Sequence, residues 1–187
     1  MHSRMGIDVA APPELVFALA RDVTRWERLL PHYARSRRDG RTADGKELTS
    51  FIARRPLPGP LGMVGLAIPV TWRSRTWSDE STLRLRFVHV AGATAGMDVT
   101  WTIAPTATGS RVDIHHDFRR TLPIPVIGPV LGDAAFPAFV DRWFTRPIAG
   151  RTLATFKALA EAVATTPSRV SAPADTSAEP APANLRT

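Results

Sequence analysis

The stretch "VAAPPELVFALARDVTRWERLLPHY" (residues 9–33) links the end of a predicted strand to two short helices and the start of another strand. Its paired prolines, Pro12 and Pro13, suit the start of the first helix, since residues of a first helical turn have no intrahelical N–H bond to lose. The second helix runs from Val23 to about Leu30, because the proline that follows disfavours helical angles at Leu30. Two small helices inserted between strands therefore characterise this part of the chain.

The segments around this stretch predict an antiparallel sheet and one long helix. Residues 3–11 form the first strand, and six further strand segments follow, separated by turn residues. These six are HYARSRRDG (32–40), KELTSFIAR (46–54), PVTWRSRTWSD (69–79), STLRLRFVHV (81–90), MDVTWTIAP (97–105) and SRVDIHHDFRR (110–120). Residues 136–164 repeat apolar side chains at three- and four-residue steps, which predicts a long helix interrupted near Pro147 and Gly150. Only this helix is long enough to cover one face of such a sheet.

The composition fits one domain followed by a tail. The chain has 187 residues, 44% of them hydrophobic, which is enough for a single core. We expect the domain to span residues 1–165, and residues 166–187, rich in Pro, Ala, Ser and Thr, to be disordered. No segment reaches the ~18 apolar residues of a membrane span, and the first residues lack the apolar centre of a signal peptide, so we expect a cytoplasmic protein.

Several classes of site are excluded by residue type. Cysteine is absent, which rules out disulfides, thiolate metal sites and cysteine nucleophiles. His115 and His116 are neighbours in a predicted strand and point to opposite faces, so they cannot chelate one ion from one side, and we expect no metal or other cofactor. The formal net charge of +7 comes from arginines scattered without aromatic interleaving. This pattern favours an anionic membrane surface or an acidic acyl carrier protein over nucleic acid as a partner.

Four pieces of the sequence, together with the order of elements, resemble the START/Bet v 1-like (SRPBCC) superfamily, in particular bacterial polyketide cyclase/dehydrase and aromatase/cyclase proteins. The pieces are the opening stretch, "VTWRSRTWSDE" (70–80), "AGMDVTWTIAPTATGSRVDIHHDF" (95–118) and "RTLATFKALAEA" (151–162). The resemblance implies an α+β helix-grip fold, in which an antiparallel meander wraps around a long C-terminal helix and encloses an apolar cavity. It also implies a hydrophobic small-molecule ligand, used for cyclisation, carriage or sensing.

Strand alternation predicts which side chains face that cavity, because neighbouring residues point to opposite faces of a sheet. The inward sets are Val70, Trp72, Ser74 and Thr76; Leu83, Leu85, Phe87 and His89; Val99, Trp101 and Ile103; and Val112, Ile114, His116 and Phe118. The predicted wall is mainly apolar with few polar points. His116 is either a satisfied core histidine or a proton donor or acceptor, and His89 is either a strand-end residue near solvent or a second such group.

The tryptophan and tyrosine of the opening stretch carry the most specific part of the resemblance. In aromatase/cyclases, a tryptophan on the second small helix and a tyrosine just after it line the pocket, and Trp26 and Tyr33 match those places. A phenol can donate a proton to a carbonyl while its ring packs on a flat polyketide, as aldol closure and dehydration require. The alternatives are a Trp26 that only packs the helix and a Tyr33 whose hydroxyl faces water.

The resemblance therefore implies a set of candidate site residues. Tyr33, His116 and His89 are the candidates for proton transfer. The candidates for contact with the substrate are Trp26, Trp72, Ser74, Arg75, Thr76, Phe87, Trp101 and Phe118.

One position departs from the family pattern. The cyclising arginine of the family lies four residues after a strand tryptophan, where this chain has Thr76 after Trp72. Arg75 is one place short and faces the other side unless a bulge intervenes. Two functions therefore stay open: a polyketide cyclase/dehydrase acting by aldol cyclisation and dehydration, or a non-catalytic carrier or sensor of lipid or quinone.

Alternate loops of a meander fall at one end of the sheet, which places residues 54–69, 91–96 and 119–132 together. The first and third segments begin with an arginine pair and continue as apolar runs rich in proline and glycine. Exposed apolar loops favour association unless they cover something, so these segments predict a lid over the cavity mouth that can face an anionic membrane. Packing of the loops on the neck of the last helix is the alternative.

Deleting residues 168–187 is expected to leave the midpoint of thermal unfolding within about 1 °C of the full chain, because a segment of this composition has no core to join. Differential scanning calorimetry of the two proteins measures the difference. A fall of several degrees on truncation would show that the tail packs on the domain.

Overall fold

The computed structural model describes residues 1–57, 59–92, 94–118 and 135–166, and within them seven strands form one antiparallel sheet. The strands are β1 (His2–Val9), β2 (Tyr33–Arg41), β3 (Glu47–Pro56), β4 (Ala67–Asp79), β5 (Arg84–Gly92), β6 (Asp98–Thr106) and β7 (Gly109–Asp117). Their order across the sheet is β1-β7-β6-β5-β4-β3-β2, so six strands form a meander and β1 joins its far edge. All seven predicted strands are confirmed.

The helices cover one face of this sheet. Between β1 and β2 lie α1 (Pro13–Arg21), a 3₁₀ turn (Val23–Arg25) and α2 (Trp26–Leu29), and α3 (Pro60–Met63) lies between β3 and β4. After β7 come α4 (Ala135–Val140), a π-helical turn (Asp141–Thr145) and the long α5 (Arg146–Thr165). The predicted α+β helix-grip architecture is therefore confirmed. In the described part of the chain, no helix is both long and apolar enough to cross a membrane.

The N-terminal helices form for the reasons that the sequence indicates. Pro13 lies in the first turn of α1. The Asp22 carboxylate then accepts hydrogen bonds from the backbone N–H and the hydroxyl of Thr24, at 3.2 and 2.6 Å, and so caps the 3₁₀ turn. Leu30 has extended angles (φ −114°, ψ 104°) before Pro31, which ends α2 as predicted.

The interruption of the last helix is the main correction to the predicted fold. The π-helical turn breaks the α-helix at residues 141–145, earlier than predicted, and α5 runs unbroken through Pro147 and Gly150. Pro147 lies in the first turn of α5, where proline is tolerated. Gly150 leaves room for Met5 of β1, whose Cε would lie 3.4 Å from a Cβ at that position.

Smaller differences concern the ends of strands. Residues 81–83, predicted as the start of a strand, lie in the turn before β5, where Leu83 has a φ of 49°. Residues 55–56 and 67–68, predicted as loop, extend β3 and β4 and pair with each other. The connections β3–β4 and β5–β6 do lie at one end of the sheet, where β7 also ends. The predicted lid segment 119–132, and the predicted tail from residue 167 onward, lie outside the described residues.

Gly92, at the end of β5, combines a left-handed φ of 92° with a close approach to the backbone, since a Cβ there would collide with the carbonyl oxygen of Thr71. Gly92→Ala is therefore expected to lower the free energy of unfolding by about 2 kcal/mol or more. Gly40, on edge strand β2, is the matched control because a Cβ there meets nothing within 4 Å. Urea unfolding should show Gly40→Ala within about 1 kcal/mol of wild type, and equal losses would contradict the strain argument.

Candidate functional site

A cavity of about 80 Å³ lies between the sheet and α5. The sheet contributes mainly apolar and aromatic side chains to its wall: Phe51, Val70, Trp72, Phe87, Val99 and Trp101. The helical side contributes Phe144, Thr145, Ile148, Ala149 and Thr152. The volume is well below the roughly 300 to 1,000 Å³ of typical sites for larger organic ligands.

The indole of Trp26 forms the centre of the aromatic wall. It is buried, and its Nε1–H donates a hydrogen bond of 2.9 Å to the carbonyl oxygen of Ala20. Five rings surround it with centroid distances between 5.4 and 5.8 Å, namely Tyr33, Phe51, Phe87, Trp101 and Phe156. Aromatic rings packed in this way present flat apolar surfaces to whatever occupies the remaining space.

One polar group of the cavity belongs to a network around Tyr33. The Tyr33 ring is buried edge-on against Trp26. Its hydroxyl is hydrogen-bonded to Thr152, so the hydroxyl does not face bulk water. Burial raises the pKa of the phenol strongly, and the hydrogen bond with Thr152 only partly opposes that change. Tyr33 therefore stays protonated at neutral pH and can act as a hydrogen-bond donor.

His32 completes this network from outside the cavity. Thr152 donates its hydroxyl to the carbonyl of Ile148 at 2.9 Å, so it accepts the 2.9 Å hydrogen bond from His32 Nε2. Burial lowers the pKa of His32 to about 4, the charge of Arg151 lowers it further, and a hydrogen bond to Ile148 opposes both. A neutral imidazole thus fixes the orientation of the threonine beside Tyr33.

Two more imidazoles form the second polar part of the wall. His89 lies nearly parallel to Trp72, with centroids 5.8 Å apart, and its Nδ1 is 2.6 Å from the hydroxyl of Thr94. Burial, followed by repulsion from His116, lowers the pKa of His89 to about 3. The ring is partly exposed and contributes to the lining of the cavity. His89 is therefore a neutral hydrogen-bonding group at pH 7.

His116 stands beside His89 with a similar character. Burial is the largest influence and lowers its pKa to about 4, while the nearby carboxylate of Asp141 opposes this change. The charges of His115 and Arg146 add to the lowering. Its Nδ1 lies 3.5 Å from the hydroxyl of Ser3 on the neighbouring strand. The cavity therefore brings two neutral imidazoles and one phenol together.

The structure places most of the candidate site residues in one wall. Those that line the cavity are Trp26, Tyr33, Trp72, Phe87, His89, Trp101 and His116. Ser74 and Thr76 face inward but are buried in the packed part of the core, where the Thr76 and Thr49 hydroxyls are 3.1 Å apart. Phe118 is buried against Phe136, with centroids 6.0 Å apart, and does not line the cavity.

The placement of Arg75 among the cavity residues is wrong. It faces the outer side of the sheet, opposite Leu48, because β4 keeps its regular alternation against β3. A bulge does occur beside it, but the extra residue is Val90 of β5, between the pairs Arg73–Ala91 and Ser74–His89. None of the described residues that line the cavity carries a side-chain charge at pH 7.

Sequence analysis missed several lining or supporting residues. Thr152 lies on the same helical face as Ala149 and Phe156, so the helical period could have found it despite its polarity. Met97 has the same alternation as Val99 and Trp101 in the predicted strand 97–105, so the strand period could have found it. Thr94 comes from the β5–β6 connection and His32 from the residue before β2, where the period does not identify them. Their positions depend on contacts between distant parts of the chain.

Comparisons with known proteins agree with this architecture. A family model described as polyketide cyclase/dehydrase and lipid transport matches residues 2–161. The structure of TTHA0849 from Thermus thermophilus superposes with a TM-score of 0.65 at 21% identity, covering 88% of this chain and 100% of that one. The structure of the Zhui aromatase/cyclase from Streptomyces sp. R1128 superposes with a TM-score of 0.65 at 17% identity, covering 86% of this chain and 93% of that one. A START superfamily protein from Mycobacterium smegmatis superposes with a TM-score of 0.52 at 14% identity, covering 87% of this chain and 96% of that one. A sequence search of curated proteins finds no match.

The buried histidines predict that acid destabilises the fold. An unfolded histidine titrates near ~6.5, whereas the pKa values of His32 and His116 are lowered to about 4 and that of His89 to about 3. The unfolded chain therefore binds protons that the folded chain does not as pH falls below ~6.5. The stability that the neutral histidines contribute is fully present above pH ~6.5 and is lost as the pH falls toward their pKa values in the folded protein.

Urea unfolding between pH 7 and pH 5 measures the effect. His116→Gln removes one of the three buried histidines and should reduce the loss of stability over that interval by about a third. His115→Gln, on the exposed outer face, is the matched control; it removes only the weaker repulsion that His115 exerts on His116, so it should change the pH dependence much less than His116→Gln does. Identical pH dependence in wild type and His116→Gln would contradict the assignment of a neutral, buried His116.

Proposed function

Because the chain belongs to the polyketide cyclase/dehydrase and lipid transport family, we propose that it binds a flat, carbonyl-bearing hydrophobic molecule of the polyketide type and promotes its aldol cyclisation and dehydration. Family and fold make it a protein with a ligand-binding SRPBCC fold. The observation that supports a reaction is the set of buried, uncharged hydrogen-bonding groups in one aromatic wall, formed by Tyr33, His89 and His116.

The aromatic wall favours a flat ligand. Phe51 and Trp72 are stacked with centroids 5.2 Å apart and an interplanar angle of 16°, and His89 continues the stack beyond Trp72. Trp26 and Trp101 contribute further ring surfaces. A planar, partly unsaturated chain can contact these surfaces over its whole area, whereas a bulky saturated molecule cannot.

The proton chemistry follows from the neutral groups. In aldol closure, an α-carbon loses a proton and attacks a carbonyl carbon, whose oxygen gains a proton; dehydration then removes the new hydroxyl with a second α-proton. A neutral imidazole of His89 or His116 can accept the α-proton, and Tyr33 can donate to the carbonyl oxygen. Imidazoles with pKa values near 3 and 4 are weak bases, so the substrate needs acidic α-protons, such as those between two carbonyls of a poly-β-ketone.

A second function, carriage or sensing of a lipid or quinone without catalysis, is supported by a different observation. The described lining residues provide no arginine to hold a developing oxyanion, since Arg75 faces outward. A carrier needs only the apolar wall and a few neutral donors for orientation. We propose a membrane or an acyl carrier protein as the source of the ligand in either case.

Both functions require the cavity to enlarge, and we infer that α4 and the π turn form the movable wall. Phe144 and Thr145 of the π turn line the cavity. The turn is joined to β3 through the Arg55 guanidinium, which lies 4.8 Å from the centre of the Trp143 ring. Breaking this contact disturbs no strand pairing, whereas moving the sheet would disturb several.

Tyr33→Phe separates the two functions, because it keeps the surface of the ring and removes only the hydroxyl group that donates the proton. A cyclase that depends on this phenol should lose roughly two to four orders of magnitude in turnover of a released poly-β-ketone. A carrier should hold an aromatic ligand within the ~1 kcal/mol of one neutral hydrogen bond. Product analysis and ligand titration of the same two proteins give both values.

His115→Gln is the control for both measurements, since that ring lies on the outer face of β7. If the wild type leaves the product distribution of the poly-β-ketone unchanged, catalysis is excluded and carriage stands. If Tyr33→Phe turns over at the wild-type rate, the proton comes from another group, and His89→Gln and His116→Gln identify which histidine supplies it.

A further inference from the structure

The β3–β4 tip, residues 59–68, presents apolar side chains to solvent. Met63 is 88% exposed and Val64 75% exposed, and Leu66 and Ile68 follow with 50% and 42%. Large apolar side chains exposed next to each other are uncommon on the surface of a protein that binds no partner there. The tip therefore has the composition of an interaction surface.

The backbone holds this tip in a defined shape. Gly59 and Gly65 adopt left-handed φ values of 68° and 84°, which other residues rarely accept. The N–H of Leu57 donates to the carbonyl of Leu66 at 3.0 Å and closes the base of the tip. A Cβ at Gly62 would collide with the Leu57 carbonyl, so the glycine permits the short α3 to fold against it. The apolar side chains are thus presented by an ordered loop.

A second exposed apolar pair lies beside the tip. Phe139 of α4 and Trp143 of the π turn are stacked, with centroids 6.0 Å apart, and are 48% and 37% exposed. Arg55, at the end of β3 that leads into the tip, contacts the Trp143 ring. The pair therefore belongs to the movable wall of the cavity, and the tip lies next to it.

The charge around both patches is mainly positive, and the carboxylate of Asp141, between Phe139 and Trp143, is buried and paired with Arg146 at 2.7 Å. Residues 48–78 contain four arginines and no Asp or Glu, and residues 142–160 contain three arginines, one lysine and no Asp or Glu. Arg54 and Arg142 are exposed, and neither forms an ion pair with another described residue. Basic side chains around an apolar protrusion complement an anionic lipid surface, which offers phosphates at its boundary and hydrocarbon below.

We propose that the β3–β4 tip, together with Phe139 and Trp143, docks into the interface of an anionic lipid bilayer, so that the movable wall of the cavity faces the membrane. The tip inserts apolar side chains while Arg54 and Arg142 contact lipid phosphates. The inference deepens the proposed function by naming the source of the ligand. Because vesicle binding is measured without turnover or cavity ligand, either proposal can fail while the other stands.

Flotation of the full chain with two kinds of vesicle tests this docking. One kind is phosphatidylcholine alone and the other contains about 30% phosphatidylglycerol, and the expected result is binding to the anionic vesicles that weakens with added salt. The double variant Met63→Asp, Val64→Asp should weaken that binding by more than about tenfold. Val163→Asp is the matched control, since Val163 is 49% exposed near the end of α5 and outside both patches.

A second pair of variants tests the basic side chains. Arg54→Gln should weaken binding about fivefold, the usual contribution of one basic residue at an anionic surface. Arg84→Gln removes the same charge from the opposite end of the sheet and should leave binding unchanged. Circular dichroism confirms that the variants are folded, and Met63→Ser provides a milder change if the double variant is not.

Three results would overturn the proposal. The first is a wild type that floats with neither kind of vesicle. The second is an equal loss in Met63→Asp, Val64→Asp and in Val163→Asp, which would assign the effect to general charge. The third is wild-type capture by an acidic acyl carrier protein, lost in the tip variant, with no vesicle binding; the tip would then be a protein-docking surface.

Discussion

The packing of Trp26 against five aromatic rings is the interaction on which the rest of the structure depends. The indole comes from a four-residue helix that could not persist alone, yet it touches rings from β2, β3, β5, β6 and α5. Its N–H, buried with the ring, is satisfied by the Ala20 carbonyl near the end of α1. One side chain thus fixes both small helices against the sheet and the long helix. Trp26 therefore packs the core and also lines the cavity.

This aromatic centre also explains why the cavity is small. Rings that contact each other at 5 to 6 Å leave no room between them, so the open volume is only what remains between Trp26, the histidines and the π turn. Enlarging the cavity through the sheet would separate these rings and lose the burial that stabilises the fold. In the proposed function the π turn is the wall that moves, because it meets β3 through the contact of Arg55 with Trp143 and takes part in no strand pairing.

Most of the fold could be predicted from the sequence because local rules determine it. The strands follow from alternation and turn residues, and Pro13 and Pro31 set the limits of the small helices. The π turn could not be predicted, because nothing in the helical period before Pro147 distinguishes a π turn from a kink. Seven of the eleven candidate site residues line the cavity, since alternation finds the inward face of a strand but not how far along that face the open space extends. Ser74, Thr76 and Phe118 lie outside that open space. The prediction for Arg75 was wrong because the bulge occurs on the neighbouring strand β5 and leaves the alternation of β4 unchanged.

The absence of side-chain charge from the described wall links the fold to the chemistry it can support. A charged group in so apolar a space would be destabilised by several kcal/mol or more unless it was paired, so the same burial that keeps Tyr33 protonated keeps His89 and His116 neutral. Neutral donors can orient a carbonyl without attracting water, which suits an apolar ligand that enters from a lipid phase. They also limit the reaction, because weak bases remove only protons that neighbouring carbonyls have already made acidic. A poly-β-ketone meets that condition and a saturated lipid does not, so under the two proposed functions it is the chemistry of the ligand that separates a cyclase from a carrier.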